Sequence, residues 1–158
     1  MKSTRNLLLA SFVVFWVFIS DVAQACSPIK VVGIYFENNS SGVSAQQVLR
    51  MAQWIIDLKK RYHRYEMIYL DGTAEPGEAS PKILGLERAR NVKHVLVENF
   101  GFDAEKIHLP ASGYVAAPVS ENIKRYENGK GVRAVDIGLL PGCPHECSCQ
   151  TGAFVEMP

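Results

Sequence analysis

Tyr65-Glu-Met-Ile-Tyr-Leu70-Asp-Gly72-Thr-Ala-Glu75-Pro-Gly-Glu78-Ala-Ser80-Pro-Lys-Ile-Leu-Gly-Leu-Glu-Arg88-Ala-Arg-Asn-Val92 decides how this chain folds. Tyr65 to Leu70 reads as a strand, rich in aromatic and branched residues. Asp71 and Gly72 open a glycine-rich loop that carries Glu75. Ser80 then offers a helix cap, and Pro81 takes the first helical position, where a missing N–H costs nothing. Ile83, Leu84, Val92, Val95 and Leu96 recur at helical spacing and would face a sheet, and Gly101 stops the helix. A loop acid followed by a helix arginine can hold a small zwitterion, with its ammonium on Glu75 and its carboxylate on Arg88. Arginine suits that task because its planar fork gives a carboxylate two parallel hydrogen bonds. The same two residues could form a plain salt bridge, and the spacing alone leaves both readings open. Glu78, on the same loop, reads as an ordinary solvated acid.

Upstream, Ile29 to Phe36 is a second strand-like run, broken by Glu37-Asn-Asn-Ser-Ser-Gly42. Ser44 with Gln47 three residues later has the pattern of a capping box. The helix it opens runs to about Arg61, with Val48, Met51, Ala52, Ile55 and Leu58 on one face. Lys59-Lys-Arg61 complements the negative end of that helix, so the basic cluster from Lys59 to Arg64 reads as a solvated helix end. Downstream, Lys106 to Tyr114 contains a third strand. Arg133 to Leu140 is the last, with Val135, Ile137 and Leu139 alternating on one face. Strands alternating with helices imply a sheet with helices packed on it.

The first 25 residues read as a secretory signal peptide: Lys2 and Arg5, the apolar run Leu7 to Ile19, then Ala23-Gln-Ala25. That run is shorter than the roughly 20 residues a membrane span needs. Removing Lys2, Arg5 and Asp21 takes the formal charge from +1 to zero, which gives no electrostatic case for nucleic acid. Cleavage leaves four cysteines, Cys26, Cys143, Cys147 and Cys149, an even number suited to disulfides in an exported protein. Acylation of Cys26 after cleavage is the alternative, and would make the protein an outer-membrane lipoprotein. The organisation expected is a signal peptide over 1–25, one domain over 26–142 and a cysteine-containing tail over 143–158.

Several stretches together resemble the carboxy-terminal domain of the OmpA family. They are Ile34-Tyr-Phe36, Gly72-Thr-Ala-Glu75-Pro-Gly, Leu84-Gly-Leu-Glu-Arg88-Ala, Phe100-Gly-Phe-Asp-Ala-Glu-Lys-Ile107, Ser112-Gly-Tyr114 and Arg133-Ala-Val-Asp-Ile137. The resemblance spans Val31 to Leu140 and implies an α+β fold, a β-α-β-α-β-β sandwich with helices packed on a mixed sheet. It also implies non-covalent binding of peptidoglycan in the periplasm of Gram-negative bacteria, through the diaminopimelate of the stem peptide. Glu75 stands where the family has an aspartate, and Arg88 at the family arginine. Thr73 and Arg133 are the further rim candidates. Val132-Arg133-Ala134 keeps one basic residue where the family usually has Asn-Arg-Arg.

Other chemistry finds little in the chain. Cys143-Pro-His-Glu-Cys147-Ser-Cys149 lacks the paired spacing of a structural zinc site, and no metal or cofactor is expected. His63, His94 and His108 are scattered, and no nucleophile–base pattern stands out, so an enzyme is not expected. Asn38 and Asn39 each begin an Asn-x-Ser sequon, read as chance in a bacterial protein. A protein partner, engaged by the disulfide-stabilised scaffold in the periplasm, is the alternative to the wall. If the first and last strands are antiparallel neighbours, Cys26 and Cys143 come together, leaving Cys147 and Cys149 to pair or stay reduced.

Overall fold

A computed structural model describes residues 28–116, 132–145, 147 and 155–158. The signal-peptide reading, Cys26 and Cys149 lie outside the described residues. The elements are β1 (Lys30–Tyr35), α1 (Ala45–Lys59), β2 (Arg64–Ala74), α2 (Pro81–Glu98), a 3-10 turn (Ala104–Lys106), β3 (Ile107–His108), β4 (Tyr114–Val115), β5 (Ala134–Pro141) and β6 (Val155–Glu156). This is the expected α+β order, with β4 and β6 as two short strands the sequence did not announce.

β5 lies between β1 and β2 and runs antiparallel to both. The other edge of β2 carries three short strands in succession: β6 at Arg64–Tyr65, β3 at Ile68–Tyr69 and β4 at Thr73–Ala74. β3 and β4 are parallel to β2, so the sheet is mixed. A bulge between Tyr65 and Met67 inserts an extra residue against β5. It resets the alternation, which is how Tyr65 and Ile68 both reach the core despite their odd separation. Ile34, Ile68, Leu70, Val135, Ile137 and Leu139 form one cluster with Met51, Ile55 and Leu58 of α1 and Ala89, Val92 and Leu96 of α2. Both helices therefore cover the same face of the sheet.

Four sequence expectations are corrected. The capping box does not form: Ser44 makes no side-chain cap bond, and the Gln47 Oε1 accepts the N–H of Tyr35 at 3.0 Å. Further along α1, Arg50 Nε donates to the Gly33 carbonyl at 2.9 Å. These residues close the edge of β1 beside the helix, a more demanding use because an open strand edge invites pairing with another chain. Ser80 likewise gives no side-chain cap and sits in the left-handed region at φ 47°; its carbonyl accepts the N–H groups of Ile83 and Leu84. Ile83 points to solvent, and the buried positions of α2 are Leu84, Gly85, Arg88, Ala89, Val92 and Leu96.

The fourth correction concerns Gly72, which is part of β2 and not of a loop. A Cβ there would run into the Gly85 carbonyl oxygen, and one on Gly85 would stand 2.7 Å from the Gly72 oxygen and 3.2 Å from Gly113 Cα. Strand, helix and the turn before β4 thus meet backbone to backbone. That close approach brings Arg88, one turn further along α2, within reach of the carbonyl of Thr73.

Candidate functional site

The loop after β2 opens with a β-turn, Glu75-Pro76-Gly77-Glu78, closed by the Glu78 N–H on the Glu75 carbonyl at 3.1 Å. Proline is favoured at the second position of such a turn because its φ is preset. The turn folds Glu78 back beneath the loop. There its carboxylate meets Arg88 in a two-pronged ion pair, Nη2 to Oε1 at 2.6 Å and Nη1 to Oε2 at 3.0 Å. Arg88 is 0% exposed and Glu78 is buried with it.

Every N–H of the Arg88 guanidinium is engaged. Nε donates to the Ser40 carbonyl at 2.8 Å, Nη1 also to Thr73 at 2.9 Å, and Nη2 also to Glu37 at 3.2 Å. Its face lies 5.2 Å from the centre of the Phe36 ring. Glu78 is equally saturated, since Oε1 accepts the Asn39 N–H at 2.7 Å and Oε2 the Glu75 N–H at 2.8 Å. Asn39 sits in the left-handed region, φ 53°, and its Oδ1 accepts the Ala79 N–H at 2.8 Å. Burial alone would push the Glu78 carboxyl up. The hydrogen bonds from Arg88, Glu75 and Asn39, and the guanidinium charge, outweigh that and hold it below the usual carboxylate range.

The geometry separates Arg88 from Glu75, the pair that the sequence joins across a ligand. Arg88 has no N–H left for an incoming carboxylate unless one of these bonds breaks, because a guanidinium has five donors. It ties the β1–α1 loop to the end of β2 and to the turn. Glu75 instead faces Arg133, whose Nη1 stands 3.1 Å from Oε2, with 27% and 17% of their side chains exposed respectively. Arg133 Nε also donates to the Phe36 carbonyl at 3.3 Å. Thr73 is half-buried beside them, its carbonyl committed to Arg88. Glu75, Thr73, Arg88 and Arg133 thus share one end of the sheet, with Glu75 and Arg133 at the surface and Arg88 beneath.

Sequence reasoning passed over Glu78. The signal for it was the Pro-Gly turn, which returns the second glutamate onto the N–H of the first. Away from this site, Cys143 and Cys147 are each disulfide-bonded, and His145 Nδ1 accepts the N–H of Cys147 at 3.1 Å.

Comparison of the fold with solved structures is decisive for the architecture. The OmpA-like domain of FopA1 from Francisella tularensis subsp. tularensis SCHU S4 matches with a TM-score of 0.51 and 16% identity, over 72% of this chain and 73% of that one. The fold is OmpA-like. The cell wall anchor of the T6SS from Pseudomonas aeruginosa matches this OmpA-like core at a TM-score of 0.52 and 21% identity, over 72% and 82% of the two chains. The periplasmic domain of Helicobacter pylori MotB matches at 0.54 and 18%, over 74% and 79%. No family model and no curated protein sequence matches the chain. Among the described residues, no helix is long and apolar enough to cross a membrane.

Proposed function

We propose that this protein binds peptidoglycan non-covalently in the periplasm, by recognising the zwitterionic end of diaminopimelate in the stem peptide. The observation that carries this reading is the Glu75–Arg133 ion pair, 3.1 Å apart and partly open to solvent. The pair is half-buried, and a zwitterionic ligand that parts it gives each charge a new opposite partner, so neither is left uncompensated. An ammonium then takes the place of Arg133 on Glu75, and a carboxylate takes the place of Glu75 on the guanidinium fork of Arg133. The closed network of Arg88 and Glu78 is the floor of this site. It fixes the Glu75 N–H on one side and the Glu37 and Ser40 carbonyls on the other, so the contact groups are held before the ligand arrives.

The OmpA-like fold shared with a cell wall anchor supports the same reading. In it Arg88 is a positioning residue, Glu75 and Arg133 touch the ligand, and the Thr73 hydroxyl is a rim candidate. The test is co-sedimentation with purified Gram-negative sacculi. The parent protein should pellet, whereas Glu75→Gln and Arg133→Ala should stay in solution with unchanged thermal unfolding. Folded variants that pellet like the parent would remove the wall from the account.

A further inference from the structure

β4 is only two residues long, yet it is fixed at both ends. The Gly113 N–H donates to the Lys82 carbonyl of α2 at 3.0 Å, and the Ala116 N–H to the Ala74 carbonyl of β2 at 2.8 Å. Gly113 lies so close to α2 that a Cβ there would stand 2.5 Å from the Leu86 nitrogen and 2.6 Å from the Lys82 oxygen. Between these anchors Tyr114 pairs with Thr73 in parallel register, which sets the two side chains next to each other on one face. The backbone of Tyr114 is therefore held, while its side chain stays 52% exposed. A single exposed aromatic is ordinary on a protein surface. What distinguishes this one is its neighbour. Glu75 follows Thr73 by two residues, the spacing that keeps a side chain on the same side of an extended chain. Arg133 reaches Glu75 from the β5 side of β2, whereas Tyr114 stands on the opposite, β4 side.

From this juxtaposition we infer that Tyr114 touches the ligand, as the apolar wall against which the methylene arm of diaminopimelate lies. The inference rests on the Glu75–Arg133 reading of the site. With the ligand's ammonium on Glu75 and its carboxylate drawn to the β5 side, the arm, which leaves the same carbon, runs toward β4. Strand spacing and rise put the Tyr114 backbone about 8 Å from that of Glu75. An arm of three methylene groups, about 5 Å long on ordinary bond lengths, ends within reach of the ring. Polar groups then fix the charged end and an aromatic face takes up the aliphatic part, as is usual in small-molecule sites. Tyrosine suits the wall, since it offers a large rigid surface with few torsions to immobilise. The consequence is selectivity for the arm, which two charges alone cannot read, because Glu75 and Arg133 would hold the zwitterionic end of any α-amino acid.

The test is titration of a diaminopimelate stem peptide into the parent protein, Tyr114→Ala and Tyr114→Phe, read by affinity and by the peptide's proton resonances. In the parent, the arm methylene protons should move upfield, as protons over an aromatic face do, and should cross-relax with the Tyr114 ring. Tyr114→Ala should lose both signatures and weaken binding about five- to tenfold, the worth of covering one side of three methylene groups. Tyr114→Phe should keep them, because the ring face and not the hydroxyl makes the contact. Thermal unfolding should be unchanged in both variants, since the side chain is exposed. Parent-like affinity in Tyr114→Ala, or methylene protons that do not move when the parent binds, would overturn the inference and leave the Glu75–Arg133 site standing. Failure of the parent to bind the peptide at all would overturn both.

Discussion

Arg88 and Glu78 carry consequences for stability that their chemistry makes specific. Removing one member of a buried, fully hydrogen-bonded ion pair leaves an uncompensated charge and costs about 3–5 kcal/mol. Arg88→Ala should therefore lower the unfolding free energy by that much in a denaturant titration, and Arg88→Lys should recover little, because a point charge cannot reproduce five directed donors. The pair should also show in the pH dependence. The folded-state pKa of Glu78 is lowered, so its contribution is fully present above the ordinary glutamate value of about 4.3. It is lost as pH falls through the lower folded value, when the carboxylate takes up a proton. Thermal unfolding followed from neutral pH downward should show this loss in the parent and a shallower one in Glu78→Gln; parallel curves would assign the acid dependence to other carboxylates. At this scale the sequence pointed to Arg88 and not to its partner. Both glutamates sit on one loop, and only the turn at Pro76-Gly77 decides which is buried.

Among the elements, α2 is held to β2 by absent side chains. Gly85→Ala would place a methyl 2.7 Å from the Gly72 oxygen, and the neighbour is backbone, which cannot swing aside. Overpacking of this kind costs about 1–3 kcal/mol. It should also lengthen the Arg88–Thr73 hydrogen bond, and a thermal melt with amide exchange at Glu75 would read both effects; an unchanged melt would mean that helix and strand separate freely. The strands and helices themselves were legible, because apolar periodicity reports burial directly: Met51, Ile55 and Leu58, or Val135, Ile137 and Leu139. What was not legible were the positions where a second demand overrode the local signal. Gln47 serves β1 instead of capping its own helix, and Gly72 serves helix packing instead of a turn. β4 and β6, two residues each, owe their existence to the open edge of β2 and have no periodicity to detect.

Seen as one molecule, the chain pairs its first and last long strands along one side of the sheet. β1 and β5 are antiparallel neighbours, with Lys30 opposite Leu139. Cys143 follows the end of β5, and a disulfide from it to Cys26 is the proposed pairing. Closing a loop of that length stabilises by about 4–5 kcal/mol on chain-entropy grounds. Peptide mapping without reductant should recover the Cys26–Cys143 fragment; a lipid-bearing Cys26 would contradict it and move the protein to the outer membrane. At the other end, Val155–Glu156 pairs with the start of β2, and the Met157 N–H donates to the His63 carbonyl at 2.8 Å, a use of the tail that no motif announced. The central claim concerns what the scaffold holds out at Glu75 and Arg133. It is tested most directly by comparing two stem peptides, one with diaminopimelate and one with lysine, which lacks the second carboxylate. The parent protein should prefer the diaminopimelate peptide by about 10- to 100-fold, the worth of a charge-assisted contact of about 1.5–3 kcal/mol, and Arg133→Ala should bind the two alike. Equal affinity of the parent for both peptides, or a preference that survives Arg133→Ala, would contradict it.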